Sequence, residues 1–99
     1  MHEEGRDTLR TTVYTGYEWS DLGAQLMVEN ILTECGIESY TLYKASGHWK
    51  GQSENAIVIE VMGDDDTAIH EAAHVLRYNM DRPQEAVYVV REIIDLLVI

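Results

Sequence analysis

The alternation of apolar and polar positions changes period along this chain, and each change marks an element. Residues 10–17 (RTTVYTGY) are rich in Thr, Val and Tyr and predict a first strand. The period then lengthens. Ala24, Met27, Val28, Ile31 and Cys35 recur at helical spacing, with Glu29, Asn30 and Glu34 off that stripe. Ser20 or Asp21 is placed to cap this helix, and Gly36 stands where a left-handed C-terminal cap belongs.

Residues 37–49 and 55–62 predict a second and a third strand, folded back on each other about a corner rich in Gly and Ser. Ile69, Ala72, Ala73, Leu76 and Met80 then form the buried face of a second helix over 67–79. The run Asp64-Asp65-Asp66 at its start suits the free N–H groups and dipole of a helix N-terminus better than a calcium or magnesium site. After Pro83, residues 86–90 (AVYVV) predict a fourth strand. Residues 93–99 (IIDLLVI) either prolong it or make a short fifth.

This order of strand, helix, strand, strand, helix, strand predicts an α+β fold. It is the βαββαβ pattern of a ferredoxin-like sandwich, with an antiparallel sheet and both helices on one face. Residues 1–9 are polar and expected to be frayed, leaving 10–99 as a single domain, and the 99-residue length agrees with one domain. The apolar C-terminus needs a cover, and a neighbouring subunit is the natural one.

Charge narrows the functional classes. The formal net charge is -11, with only Lys44 and Lys50 as lysines, so no nucleic-acid partner is expected. An acidic, lysine-poor surface around an ordinary apolar core points to a halophilic protein, in which salt screens self-repulsion. An acidic protein of ordinary salt habitat has the same composition. The single cysteine, Cys35, excludes an internal disulfide and suits a reducing compartment. With no apolar h-region at the N-terminus and no apolar run long enough to span a bilayer, a cytoplasmic protein without membrane contact is expected.

Two constellations carry candidate chemistry. His70-Glu71-Ala72-Ala73-His74 is a literal H-E-x-x-H, which on a helix sets two imidazoles one turn apart, and Glu92 could be offered as a third ligand. With Ile69 and Ala73 facing the core, however, His70 and His74 lie on the flank and Glu71 points nearly opposite to the core. No metal or other cofactor is therefore expected, and zinc binding through His70 and His74 stays as the lesser alternative. The other constellation is the hairpin corner, Gly47-His48-Trp49-Lys50-Gly51 with Glu54 close behind. Glycines let a ligand approach the backbone, and an aromatic beside a carboxylate suits a cationic or heteroaromatic ligand. A hairpin tip with one tryptophan covering the core is the plainer account of the same residues.

A Gly-x-aromatic ending one strand and a glutamate opening the next resembles the trimeric PII-like proteins, and among them the bacteriophage S-adenosylmethionine lyases. Small uncharacterised proteins with a GxWKG…E hairpin share the resemblance. It covers the chain as architecture from Thr11 to about Arg91, with Gly47-His48-Trp49 and Glu54 at the family's motif positions. Tryptophan here replaces the family's tyrosine, and the loop to the glutamate is shorter. The resemblance implies a homotrimer binding a small ligand and needing no cofactor. Glu54 would be the catalytic residue, Gly47, His48 and Trp49 ligand-binding, and Tyr14 or Tyr17 from the first strand would complete the pocket. It further implies release of 5′-methylthioadenosine and homoserine lactone from S-adenosylmethionine. The alternative is a non-catalytic PII-type regulatory or binding module.

Overall fold

A computed structural model describes residues 5–17, 20–79 and 82–99. The elements run β1 (Arg6–Thr15), α1 (Leu22–Glu34), β2 (Thr41–Trp49), β3 (Gln52–Gly63), α2 (Thr67–Arg77) and β4 (Tyr88–Leu96). The four strands form one antiparallel sheet in the order β2-β3-β1-β4. With two helices added, this is the expected ferredoxin-like α+β arrangement.

Side chains alternate across a strand, so each strand has a core side and an outer side. Val13 stands opposite both Ile59 and Val89, and Thr15 opposite Ile57. Val13, Ile57 and Ile59 join Ala24, Val28, Leu32, Ile69, Ala72 and Leu76 in one buried cluster. Both helices therefore cover the same face of the sheet. Full burial of each branched side chain there contributes roughly 1.5–3 kcal/mol over exposure.

The other face is left open by a single chain. Tyr43, Val58, Tyr14 and Tyr88 form one rung across all four strands. Val58 is closed off in its middle, whereas Tyr14, Tyr43 and Tyr88 remain more than two-fifths exposed. Met62 and Val90 add further exposed apolar surface there, whereas Ile93 is exposed on the helix side of β4, and Leu97, Val98 and Ile99 follow that strand.

Local chemistry sets the element ends. The Asp21 carboxylate caps α1 by accepting from the N–H groups of Gly23 and Ala24. At the other end Ile37 N–H donates to Leu32 O and Gly36 N–H to Thr33 O, with Gly36 at φ +81. That pair of bonds is a Schellman motif, which needs a left-handed residue and so favours glycine. At the start of α2, Asp65 Oδ1 accepts from Thr67 N–H at 3.0 Å, while the N-cap residue Asp66 makes no side-chain cap bond. Trp49 pairs with Gln52 and leaves a two-residue turn, Lys50-Gly51, with φ 52 and 79. Both positive angles fit a type I′ hairpin turn, whose twist matches that of the flanking strands.

Several boundaries differ from the sequence pattern. β1 begins at Arg6, because Arg6 to Leu9 pair with the Leu96 to Ile93 end of β4. Residues 93–96 accordingly prolong β4 and make no fifth strand. β2 starts later than expected, at Thr41, and β3 earlier, at Gln52. Leu32, absent from the expected helix stripe, is fully buried. The expected core position Met80 and the tail residues 1–4 lie outside the described residues. No helix is long and apolar enough to cross a membrane among those described.

Candidate functional site

β1 and β2 end, and β3 and β4 begin, at the same end of the sheet. A cavity of about 380 Å³ opens there. Tyr14, Thr15 and Gly16 reach it from the end of β1, Gly47 and His48 from β2, and Glu54 and Ala56 from β3. Residues 83–86 and Tyr88 close it from the segment entering β4.

Four residues singled out from the sequence thus meet at one place: Tyr14, Gly47, His48 and Glu54. Glu54 is exposed and stands opposite Gly47 in the hairpin register. His48 faces Ser53, with Nε2 3.0 Å from the serine Oγ. A Cβ built on Gly47 would meet only the Glu54 carbonyl, at 3.9 Å, so the backbone there is bare toward the cavity for want of a side chain. Trp49 ends β2 beside them, but its side chain lies outside what is described.

Tyr17 is placed elsewhere. It is 2% exposed within the core, and its hydroxyl lies against the carbonyls of Leu76 and, at 3.0 Å, Arg82. Burial pushes its pKa up, partly offset by the Arg82 charge. Cys35 caps the end of α1, away from the cavity lining, and burial followed by the charges of Glu71 and Glu34 pushes its thiol up. A raised thiol pKa is the opposite of an activated nucleophile.

Gly16 and the segment 83–86 are the lining that sequence patterns missed. Gln84 Oε1 accepts from Gly16 N–H at 3.1 Å. A Cβ on Gly16 would stand 2.9 Å from Gln84 Oε1 and 3.5 Å from Glu54 Oε1, so a side chain there would push back the end of the flexible Gln84 side chain while leaving Glu54 in ordinary contact. The segment is also fixed from behind. Gln84 N–H donates to Arg77 O at the end of α2, and Arg82 N–H to Asn79 Oδ1. Arg82 pairs with Asp21, whose carboxyl is held below the usual range first by that hydrogen bond and then by the cap bonds. Such ties pre-form the cavity wall, which lowers the ordering cost of binding. Pro83 was the one sequence signal in this segment, and it marked only the helix exit.

The electrostatics are one-sided. Glu54 and Glu85 line the cavity, and no lysine or arginine does so among the described residues. Lys50, at the hairpin tip, meets Glu85 at 3.4 Å across the rim, but both side chains are some 70% exposed, where water screens such a pair. Two tyrosine rings beside carboxylates favour a ligand that is positively charged and has a flat apolar part.

No family model matches the chain, and no curated protein sequence matches it. Solved structures do. One is the Bacillus subtilis GlnK–ATP complex, at 14% identity and TM-score 0.56, covering 89% of this chain and 83% of that one. Another is a phage S-adenosylmethionine lyase bound to S-methyl-5′-thioadenosine, at 16% identity and TM-score 0.56, covering 99% and 95%. At these identities the likeness shows the fold: the chain has the PII-like variant of the ferredoxin sandwich.

Proposed function

We propose that this chain is a small-ligand-binding PII-like protein and that its ligand is S-adenosylmethionine, cleaved within the cavity at the sheet end. The observation that carries this reading is the charge of the lining. Nucleotide triphosphates bring several negative charges and call for arginine, lysine or a helix N-terminus. This cavity offers Glu54 and Glu85 instead. S-adenosylmethionine brings a sulfonium, an ammonium and one carboxylate, and its heteroaromatic end suits the faces of Tyr14 and Tyr88.

The reaction asks little of the protein. The ligand's own carboxylate attacks its γ-carbon, a C–O bond forms, and the C–S bond breaks with its electron pair passing to sulfur. The products are 5′-methylthioadenosine and homoserine lactone, and no proton, metal or protein nucleophile is consumed. Catalysis then consists of folding the substrate into a near-attack shape and steering its charges. Glu54 holds the cationic end, Gly47 lets the chain of the substrate approach the strand, and Trp49 packs near the adenine or sulfonium.

The assembly proposed with this reading is a homotrimer, supported by the open Tyr14, Tyr43, Tyr88 and Val90 face of the sheet. The second reading is a binding module without turnover. Trp49 favours it, because tyrosine at that place would bring a hydroxyl that tryptophan lacks.

The test is incubation with S-adenosylmethionine in high salt, with chromatography for methylthioadenosine, beside Glu54→Gln. Product from the wild type and not the variant is expected. No product, with a ligand-induced rise in melting temperature that Glu54→Gln abolishes, would replace the lyase by the binding module. Neither signal would remove S-adenosylmethionine from consideration.

A further inference from the structure

His70 and His74 take no part in the cavity at the sheet end. They occupy successive turns of α2 on its exposed side, with ring centroids 4.9 Å apart and planes at 72°. Together with Ala73, Arg77, Val87 and Val89 they line a separate concavity of about 200 Å³ between α2 and the segment running into β4. That volume exceeds the roughly 30 Å³ share of one water several times over.

The spacing of the rings is informative. An imidazole bound to a first-row metal at about 2.0–2.1 Å places the metal roughly 3.2 Å from the ring centroid. With one nitrogen of each ring turned toward a shared ion, rings 4.9 Å apart would close a nitrogen–metal–nitrogen angle of roughly 100°, between the octahedral and tetrahedral values. We propose that His70 and His74 form a two-imidazole site for a late first-row divalent cation such as zinc, nickel or copper, with water in the remaining positions.

The other members of the sequence motif do not join them. Glu71 is exposed and does not line this concavity. Glu92 is engaged at 3.0 Å with Arg10. No group of three or more metal-ligating side chains occurs among the described residues. The site is thus a binding site and carries no general base for peptide hydrolysis, which separates it from the H-E-x-x-H enzymes. Two features set its strength in opposite directions. The net charge of -11 concentrates cations around the molecule. Arg77, whose guanidinium lies 4.8 Å over the Tyr78 ring, adds a positive charge to the rim. His74 is also stacked on Tyr78, at 6.4 Å and 11°, which limits how its ring turns.

Chelator-stripped full-length protein titrated calorimetrically with nickel and with zinc tests the site. One ion per chain is expected, with at least tenfold weaker binding in His74→Ala and in His70→Gln, and unchanged binding in Glu54→Gln. Circular dichroism of each variant establishes that it is folded, as expected for exposed side chains. Absence of saturable metal binding by the wild type would overturn the proposal. So would binding that survives in the folded double variant His70→Ala/His74→Ala.

Discussion

Tyr14 and Tyr17 lie three positions apart and serve opposite ends. Tyr14 falls on the outer side of β1, so its ring opens on the cavity, whereas Tyr17 comes after the strand has ended and turns into the core. Residue type cannot separate them, and the sequence offered both as ligand contacts. What separates them is where β1 stops. Tyr17 ties the last turn of α2 to the segment that walls the cavity, through Leu76 O and Arg82 O. A carbonyl near a helix C-terminus lacks an intrahelical donor, and this hydroxyl supplies one. Tyr17→Phe is expected to cost roughly 1–2 kcal/mol in denaturant unfolding, because the buried Leu76 carbonyl loses its donor. Ligand affinity should change far less than stability. Unchanged stability with lost binding would instead put the Tyr17 ring in the site.

Among the elements, those with strong local signals were legible and those fixed by distant partners were not. The Asp21 cap, the Gly36 cap, both helices and the β2–β3 hairpin follow from spacing and turn chemistry. The start of β1 does not, because Arg6 is held by Leu96, ninety residues away. The same limit hid half of the site. Glu54, Gly47 and His48 share one hairpin and were visible together, but Gly16 and Gln84 meet only when the chain has folded. Asp21 joins these two levels, since it caps α1 and also anchors Arg82 beside the cavity wall. Its carboxyl pKa is lower folded than unfolded. It therefore contributes stability above the ordinary carboxylate value of about 3.9, and that contribution is lost as pH falls through the folded value. Melting curves should show Asp21→Asn closing its gap to the wild type as pH drops below about 4, near that unfolded value. A gap that stays constant across that window would contradict the ionised cap.

The whole molecule presents a closed side and an open side. Helices cover one face of the sheet, while the Tyr43–Val58–Tyr14–Tyr88 rung and the apolar end of the chain remain uncovered by a single copy. The cavity opens beside that same face, so assembly and ligand binding are expected to be coupled. Net charge bears on both. Copies carrying -11 repel one another, and salt screens that repulsion within about 10 Å at 0.1 M and less at higher concentration. Light scattering should therefore report a trimer in molar salt and a shift toward smaller species in dilute buffer. A strict monomer in both would remove the inter-subunit arrangement.

The decisive quantity is the sign of the ligand's charge. Titration calorimetry of S-adenosylmethionine and of ATP into the wild type and Glu54→Gln measures it in one experiment. Saturable binding of S-adenosylmethionine, at least tenfold weaker without the Glu54 carboxylate, with no binding of ATP, is predicted from the acidic, tyrosine-walled cavity. Tighter binding of ATP, or S-adenosylmethionine binding indifferent to Glu54, would contradict it.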